Sequence, residues 1–263
     1  MTQNTRNSTK LSEIVSFLDA TLTPETYQDL THNSLQVDAG EENISTIGFA
    51  VDAGKSIFEK AVTLGCQLLI THHGLFWGEK IHPISGMMGE KVRLLINSRC
   101  SLYSSHLPLD GHIELGNAAQ ILKALNLPYE SIDPFGRYRS SFVGASTRLK
   151  KSYPLSEILA SLSPLGTSKE SILLPFGATQ IQNIAVVTGG GGFALSEAKL
   201  TGADLFISGE PSQQVYHEAK ELGITALFAG HYATEVFGVQ ALKSHLEKKF
   251  GITGIFIDEP TGI

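Results

Sequence analysis

The 263-residue sequence predicts an α/β fold made of duplicated α/β units whose sheets are covered by helices. Three observations carry this expectation. Short apolar runs of strand type alternate with segments of helical spacing that end in glycine. One such stretch recurs later in the chain without a gap. Composition is globular: 42% hydrophobic and 17% charged residues supply a core and are unlike a disordered chain.

The elements follow in order. Leu11-Ser12-Glu13-Ile14 opens one helical segment, and Leu155-Ser156-Glu157-Ile158 opens its counterpart. The stretch IGFAVDAGKSIFEKAVTLGCQLLITHH, from Ile47, then aligns on IAVVTGGGGFALSEAKLTGADLFISGE, from Ile184. Gly54 meets Gly191, Ala61 meets Ala198, Gly65 meets Gly202 and Ile70 meets Ile207. IGFAV and IAVV read as strands, KSIFEKAVTLG and ALSEAKLTG as helices ending in glycine, and QLLIT and DLFIS as the next strands. SLYSSHLPLD precedes the helical LGNAAQILKALNL, as TALFAGHYATE precedes FGVQALKSHLEKKFG. Residues 1–128 form the first repeat and 129–263 the second, with scope for the lobes to interleave. The segment from Pro128 to Tyr153 reads as a loop, DPFGRY, plus an extra strand, SSFVGAST, and not as a flexible linker.

Several functions are disfavoured. The net charge is −6 and there is no basic run, whereas nucleic-acid binding needs clustered Lys and Arg. Lys248 and Lys249 read as a solvated helix face. No apolar run reaches the roughly 18 residues of a membrane span. The first ten residues, MTQNTRNSTK, are polar with no signal-peptide core, and are expected to form a disordered tip. Two cysteines, Cys66 and Cys100, make no disulfide framework, so a cytoplasmic setting is expected, with Cys66 in the core.

The candidate chemistry gathers at strand ends. His72 and His73 close the strand LLIT. Neighbouring side chains in a strand point to opposite faces, so the two rings share a site only if the chain turns, which Gly74 permits. They read either as a polar strand exit or as metal ligands, serving one ion or two. In the repeat they meet Gly209 and Glu210, so the doublet is not needed to end the strand. His231 and Glu235, four residues apart, lie on one helix face and suit a metal or a surface pair. Their twins are His106 and Asp110. Pro108 argues against a regular helix from His106 to Asp110, and His106 suits a partner that orients a ligand. DAGKS is no P-loop, because Phe49 stands where the first glycine is required. Gly189 to Gly192 suits a tight, closely packed turn or an anion-binding turn. His217 and His245 read as exposed.

ITHHGLFW, YSSHLPLD and GHYATEVFG, in that order, resemble the GTP cyclohydrolase I type 2 homologue family, also called NIF-three-like or YbgI-like proteins. The resemblance runs over nearly the whole chain. It implies a NIF-three-like fold, a toroidal homohexamer and two divalent metal ions per subunit. The implied ligands are His72, His73, Asp110, His231 and Glu235, with Glu235 bridging, His72 and Asp110 on one metal, and His73 and His231 on the other. Nitrogen and oxygen donors without thiolate suit zinc, manganese, iron, cobalt or nickel. Two metals about 3.5–4 Å apart activate water, which favours hydrolysis, and the resemblance implies a nucleotide or related small molecule as the substrate. The alternative is a non-enzymatic metal-binding scaffold or regulatory protein assembled as a ring. No residue stands out as general acid or base.

Overall fold

The computed structural model describes residues 8–78, 80, 83–162 and 171–262. In chain order the elements begin with β1 (Thr9–Lys10), α1 (Leu11–Leu22), β2 (Ser34–Val37), β3 (Asn43–Ile44), β4 (Thr46–Ala50), α2 (Lys55–Thr63), β5 (Leu68–Thr71), α3 (Gly86–Asn97) and β6 (Ser101–Ser104). Then come α4 (Leu107–Asp110), α5 (Asn117–Ala124), β7 (Tyr129–Tyr138), β8 (Ser141–Pro154), α6 (Leu155–Leu162), β9 (Ile172–Pro175) and β10 (Gln180–Val186). The chain ends with α7 (Leu195–Leu200), β11 (Leu205–Ser208), α8 (Gln213–Leu222), β12 (Thr225–Phe228), α9 (His231–Phe250) and β13 (Thr253–Phe256). Two compact units emerge, residues 1–108 with 239–259, and residues 109–238 with 260–263.

The first unit holds a five-stranded sheet, ordered β13-β4-β5-β6-β2. β13, β4, β5 and β6 run parallel, and β2 lies antiparallel on β6. Every residue of β4, β5 and β6 is buried. This is why β4 and β5 run largely apolar without the alternation of a half-exposed strand, whereas β6 buries Ser101 and Ser104, hydrogen-bonded to the Ala39 N–H and to the Thr71 hydroxyl. Ile57, Phe58 and Ala61 of α2 and Val92 and Leu95 of α3 pack with Leu69, Leu102, Cys66 and Cys100. Burying each large side chain contributes about 1.5–3 kcal/mol. Cys66 is in the core, as expected, and burial pushes its thiol up to about 11 and that of Cys100 to about 12. The expected disordered tip falls for residues 1–7 outside the described residues, but Thr9 and Lys10 are ordered, paired antiparallel with Ile44 and Asn43. The salt bridge of Lys10 to Glu42 lies beside that ladder.

The second unit repeats the plan. Its six-stranded sheet is ordered β7-β8-β10-β11-β12-β9. β10, β11 and β12 run parallel, like β4, β5 and β6, and β9 is the antiparallel edge that corresponds to β2. The core sets Ala118, Ile121 and Leu122 of α5 and Ile158 and Leu162 of α6 against Ile184, Val186, Leu205, Ile207 and Leu227. Each unit therefore contains a segment from the other sequence repeat: α5 here, and β13 with the end of α9 in the first unit.

Three local expectations are corrected. DPFGRY is no loop; it is part of β7, which forms a long antiparallel hairpin with β8. Pro134 is tolerated because β7 is an edge strand, and Gly136 takes the left-handed φ of 72°. Leu107–Asp110 is a helical turn despite Pro108, because a proline in the first turn loses no intrahelical hydrogen bond. Among the described residues, no helix is long and apolar enough to cross a membrane. His217 is exposed, whereas His245 is half-buried by stacking on Phe17.

Candidate metal centre

His72 and His73 follow β5 at its carboxyl end, where α/β sheets place their ligands. The chain turns there. Thr71 Oγ1 donates to the His73 carbonyl at 2.8 Å, and the two rings sit 4.9 Å apart. Gly74 is required by crowding, because a Cβ on it would collide with the Thr31 hydroxyl. The adjacent histidines thus face one site, and His106 joins them, its ring 5.1 Å from His72 and 5.7 Å from His73. One ligand atom from each of the three lies within 4.8 Å of the others.

The hydrogen bonds select the tautomers. His72 Nδ1 lies 3.0 Å from the Ser105 carbonyl oxygen, which only accepts, so Nδ1 carries the proton and donates it. His73 Nδ1 donates to Asp52 Oδ1 at 2.7 Å, and His106 Nδ1 to Asp29 Oδ2 at 3.0 Å. In the neutral ring each Nε2 then carries a lone pair. Metal-ligating histidines show this pattern: the outer acceptor fixes the ring and raises its basicity. Asp29 is itself held by Asn33 and by the Leu107 amide. Burial alone would raise its carboxyl. The hydrogen bond and charge of His106, with Asn33 and Leu107, outweigh this and hold it well below the usual carboxylate range.

In the second unit His231 begins α9 and Glu235 follows one turn later, buried. His231 Nε2 lies 3.2 Å from Glu235 Oε1, and Nδ1 lies 3.3 Å from Glu210 Oε1. A neutral imidazole donates through one nitrogen only, so the other approach to a carboxylate calls for a second proton or a cation between them. Gly189, with φ 56°, makes space for the pair, since a Cβ there would run into Glu235 Oε1 and come within 2.9 Å of His231 Nε2. Its carbonyl takes the N–H groups of Gly209 and Glu210, both at 3.0 Å, so this stretch is the tight, closely packed turn. In the repeat alignment Gly189 is the twin of Asp52. The first copy uses that position to hold His73, and the second empties it for Glu235.

Asp110 is buried at the end of α4. Thr188 Oγ1 donates to its Oδ1 at 3.1 Å and Asn117 Nδ2 at 2.8 Å. Asn117 in turn accepts the Gly238 N–H at 2.6 Å, which fixes the orientation of its amide. Gly238, inside α9, allows this approach, because a Cβ would lie 2.8 Å from Asn117 Oδ1. The structure therefore groups His72, His73 and His106 in the first unit, and His231, Glu210 and Glu235 in the second. Asp110 lies in the second unit, where Thr188 and Asn117 donate to it. Sequence reading missed Asp29, Asp52, Asn117, Thr188 and Glu210 as supports. Only Glu210 left a signal, as the twin of His73.

Comparison with known proteins agrees in extent with these features. A profile of the Duf34/NIF3 (NGG1p interacting factor 3) family matches residues 9–261. A protein of Archaeoglobus fulgidus called GTP cyclohydrolase 1 type 2 homolog is 42% identical over 253 residues, covering 96% of this chain and 99% of its own length. Among solved structures, TTHA1606 from Thermus thermophilus superposes with a TM-score of 0.86 at 36% identity, covering 97% of this chain and 100% of that one. The protein ybgI, described as of unknown function, gives 0.86 at 32% identity with the same coverage.

Proposed function

The chain belongs to the Duf34/NIF3 family, and from that membership we propose that it is a metal-dependent hydrolase of nucleotides or related small molecules. The proposed centre holds two divalent ions on His72, His73, Asp110, His231 and Glu235, with Glu235 bridging. The observation that carries this reading is the tautomer pattern: His72 and His73 each spend Nδ1–H on a carbonyl or carboxylate. A polar strand exit has no need for such anchoring.

The donor set fits borderline ions, since it offers imidazole nitrogen and carboxylate oxygen and no thiolate. When bound, such ions supply Lewis acidity and activate water near neutral pH. The chain's own part is positional. Asp52 and the Ser105 carbonyl fix the two imidazoles. Thr188 and Asn117 aim Asp110. Gly189 leaves the volume in which Glu235 lies. The relatives named GTP cyclohydrolase 1 type 2 homolog support a nucleotide among the substrates to be screened. We propose a ring of six subunits as the assembled form.

The test is elemental analysis of purified protein, then a hydrolysis screen of metal-reconstituted protein that includes GTP and phosphodiesters. Wild type should carry close to two ions per chain and turn over a substrate, and Glu235→Ala should lose that turnover. Equal metal in wild type and in His72→Ala/His231→Ala would overturn the ligand set. Metal without turnover across the panel would favour a scaffold.

A further inference from the structure

Trp77 is the chain's one tryptophan, and it is 39% exposed. Exposed aromatic rings are common, but this one is fixed and stands beside the histidines. Its indole N–H donates to the Gly74 carbonyl at 2.6 Å. The backbone around it is pinned to the segment at 30–32 through a β-bridge of Trp77 with Thr31 and through Gly78 N–H to Leu30 O at 2.6 Å. Thr31 Oγ1 adds a bond to the Phe76 carbonyl at 2.9 Å. The ring meets His106 edge-on at 5.2 Å and lies 6.2 Å from His73.

From this arrangement we infer that Trp77 is the stacking platform for a planar heterocycle, of the nucleobase class, carried by the molecule that reacts at the histidine cluster. The indole N–H is already used, so the ring recognises a ligand through its π face and not by a hydrogen bond. Its ring contacts with His73 and His106 put the indole directly beside the histidine cluster. The loop is held by side-chain and backbone bonds before any ligand arrives, which limits the ordering lost on binding. Recognition by a face is tolerant of the base, so Trp77 selects for the presence of a ring more than for its identity. The inference deepens the hydrolase reading and rests on it for the position of the reacting group.

A single tryptophan makes the test direct. Zinc-reconstituted protein is titrated with guanosine, adenosine, cytidine and a pterin, and in parallel with ribose 5-phosphate and inorganic phosphate, following tryptophan fluorescence. Calorimetry covers the variants that lack the fluorophore. Ring-bearing compounds should quench the emission, and ribose 5-phosphate and phosphate should not. Trp77→Ala should weaken binding of the ring compounds roughly 5- to 150-fold. Trp77→Phe should keep most of the affinity, and both variants should hold wild-type metal by elemental analysis. Absence of quenching by every ring compound, or unchanged affinity in Trp77→Ala, would overturn the platform. Quenching in a wild-type protein that holds no metal would leave the platform standing and remove the metal reading. Metal with no quenching would do the reverse.

Discussion

Asn117 shows how few atoms set a carboxylate's direction. Its amide accepts from Gly238 and donates to Asp110, so every change in the chain of bonds moves the same group. Asn117→Ala should lower stability by about 1–3 kcal/mol, because a buried carboxylate loses a donor; urea unfolding should show a lower midpoint with an unchanged slope. Gly189→Ala should cost about 1–3 kcal/mol from the left-handed φ and also displace Glu235, so metal content should fall with it. For Asp29 the sign is that of a depressed carboxyl. Its contribution to stability is present above the ordinary aspartate value of about 3.9 and is lost as pH falls below it. Asp29→Asn should therefore flatten the acid limb of stability measured from about pH 5 down to about pH 1. The five proposed ligands stand out in the sequence as histidines and carboxylates just beyond apolar strands, and their reading as one ligand set comes from the family resemblance. Asp29 and Asp52 were not legible. Each reaches its histidine from a segment with no sequence spacing to it, 77 and 21 residues away.

At the level of elements, buried strands were read well and edges poorly. β4 and β5 announce themselves as largely apolar runs because both faces are covered. β7 does not, since an edge strand admits the proline and glycine that elsewhere mark a turn. The same weakness applied to α4, where a proline that would break a helix interior sits harmlessly in the first turn. Cys66 and Cys100, just ahead of β5 and β6, illustrate the covered interior. Their thiols lie at about 11 and about 12 through burial. Iodoacetamide at pH 8 should leave both unmodified in the folded protein and label both in denaturant, as read by mass spectrometry.

At the scale of the molecule, the duplication was legible because an ungapped self-match survives in the strands and the helices between them. The sequence left room for interleaved lobes, but which segments exchange was not legible, since pairing partners far apart in the chain leave no local pattern. Light scattering tests the proposed ring and should return the mass of six chains. One consequence of the strand order concerns time. β4 pairs with β13, whose first residue, Thr253, meets Thr46 at the far end of the sequence. During synthesis the first sheet keeps β4's outer edge open until the ribosome has passed Phe256. Long-range pairing of this kind slows folding and leaves an exposed, aggregation-prone edge in the meantime. A chain stopped after Gly251 would keep that edge open for good.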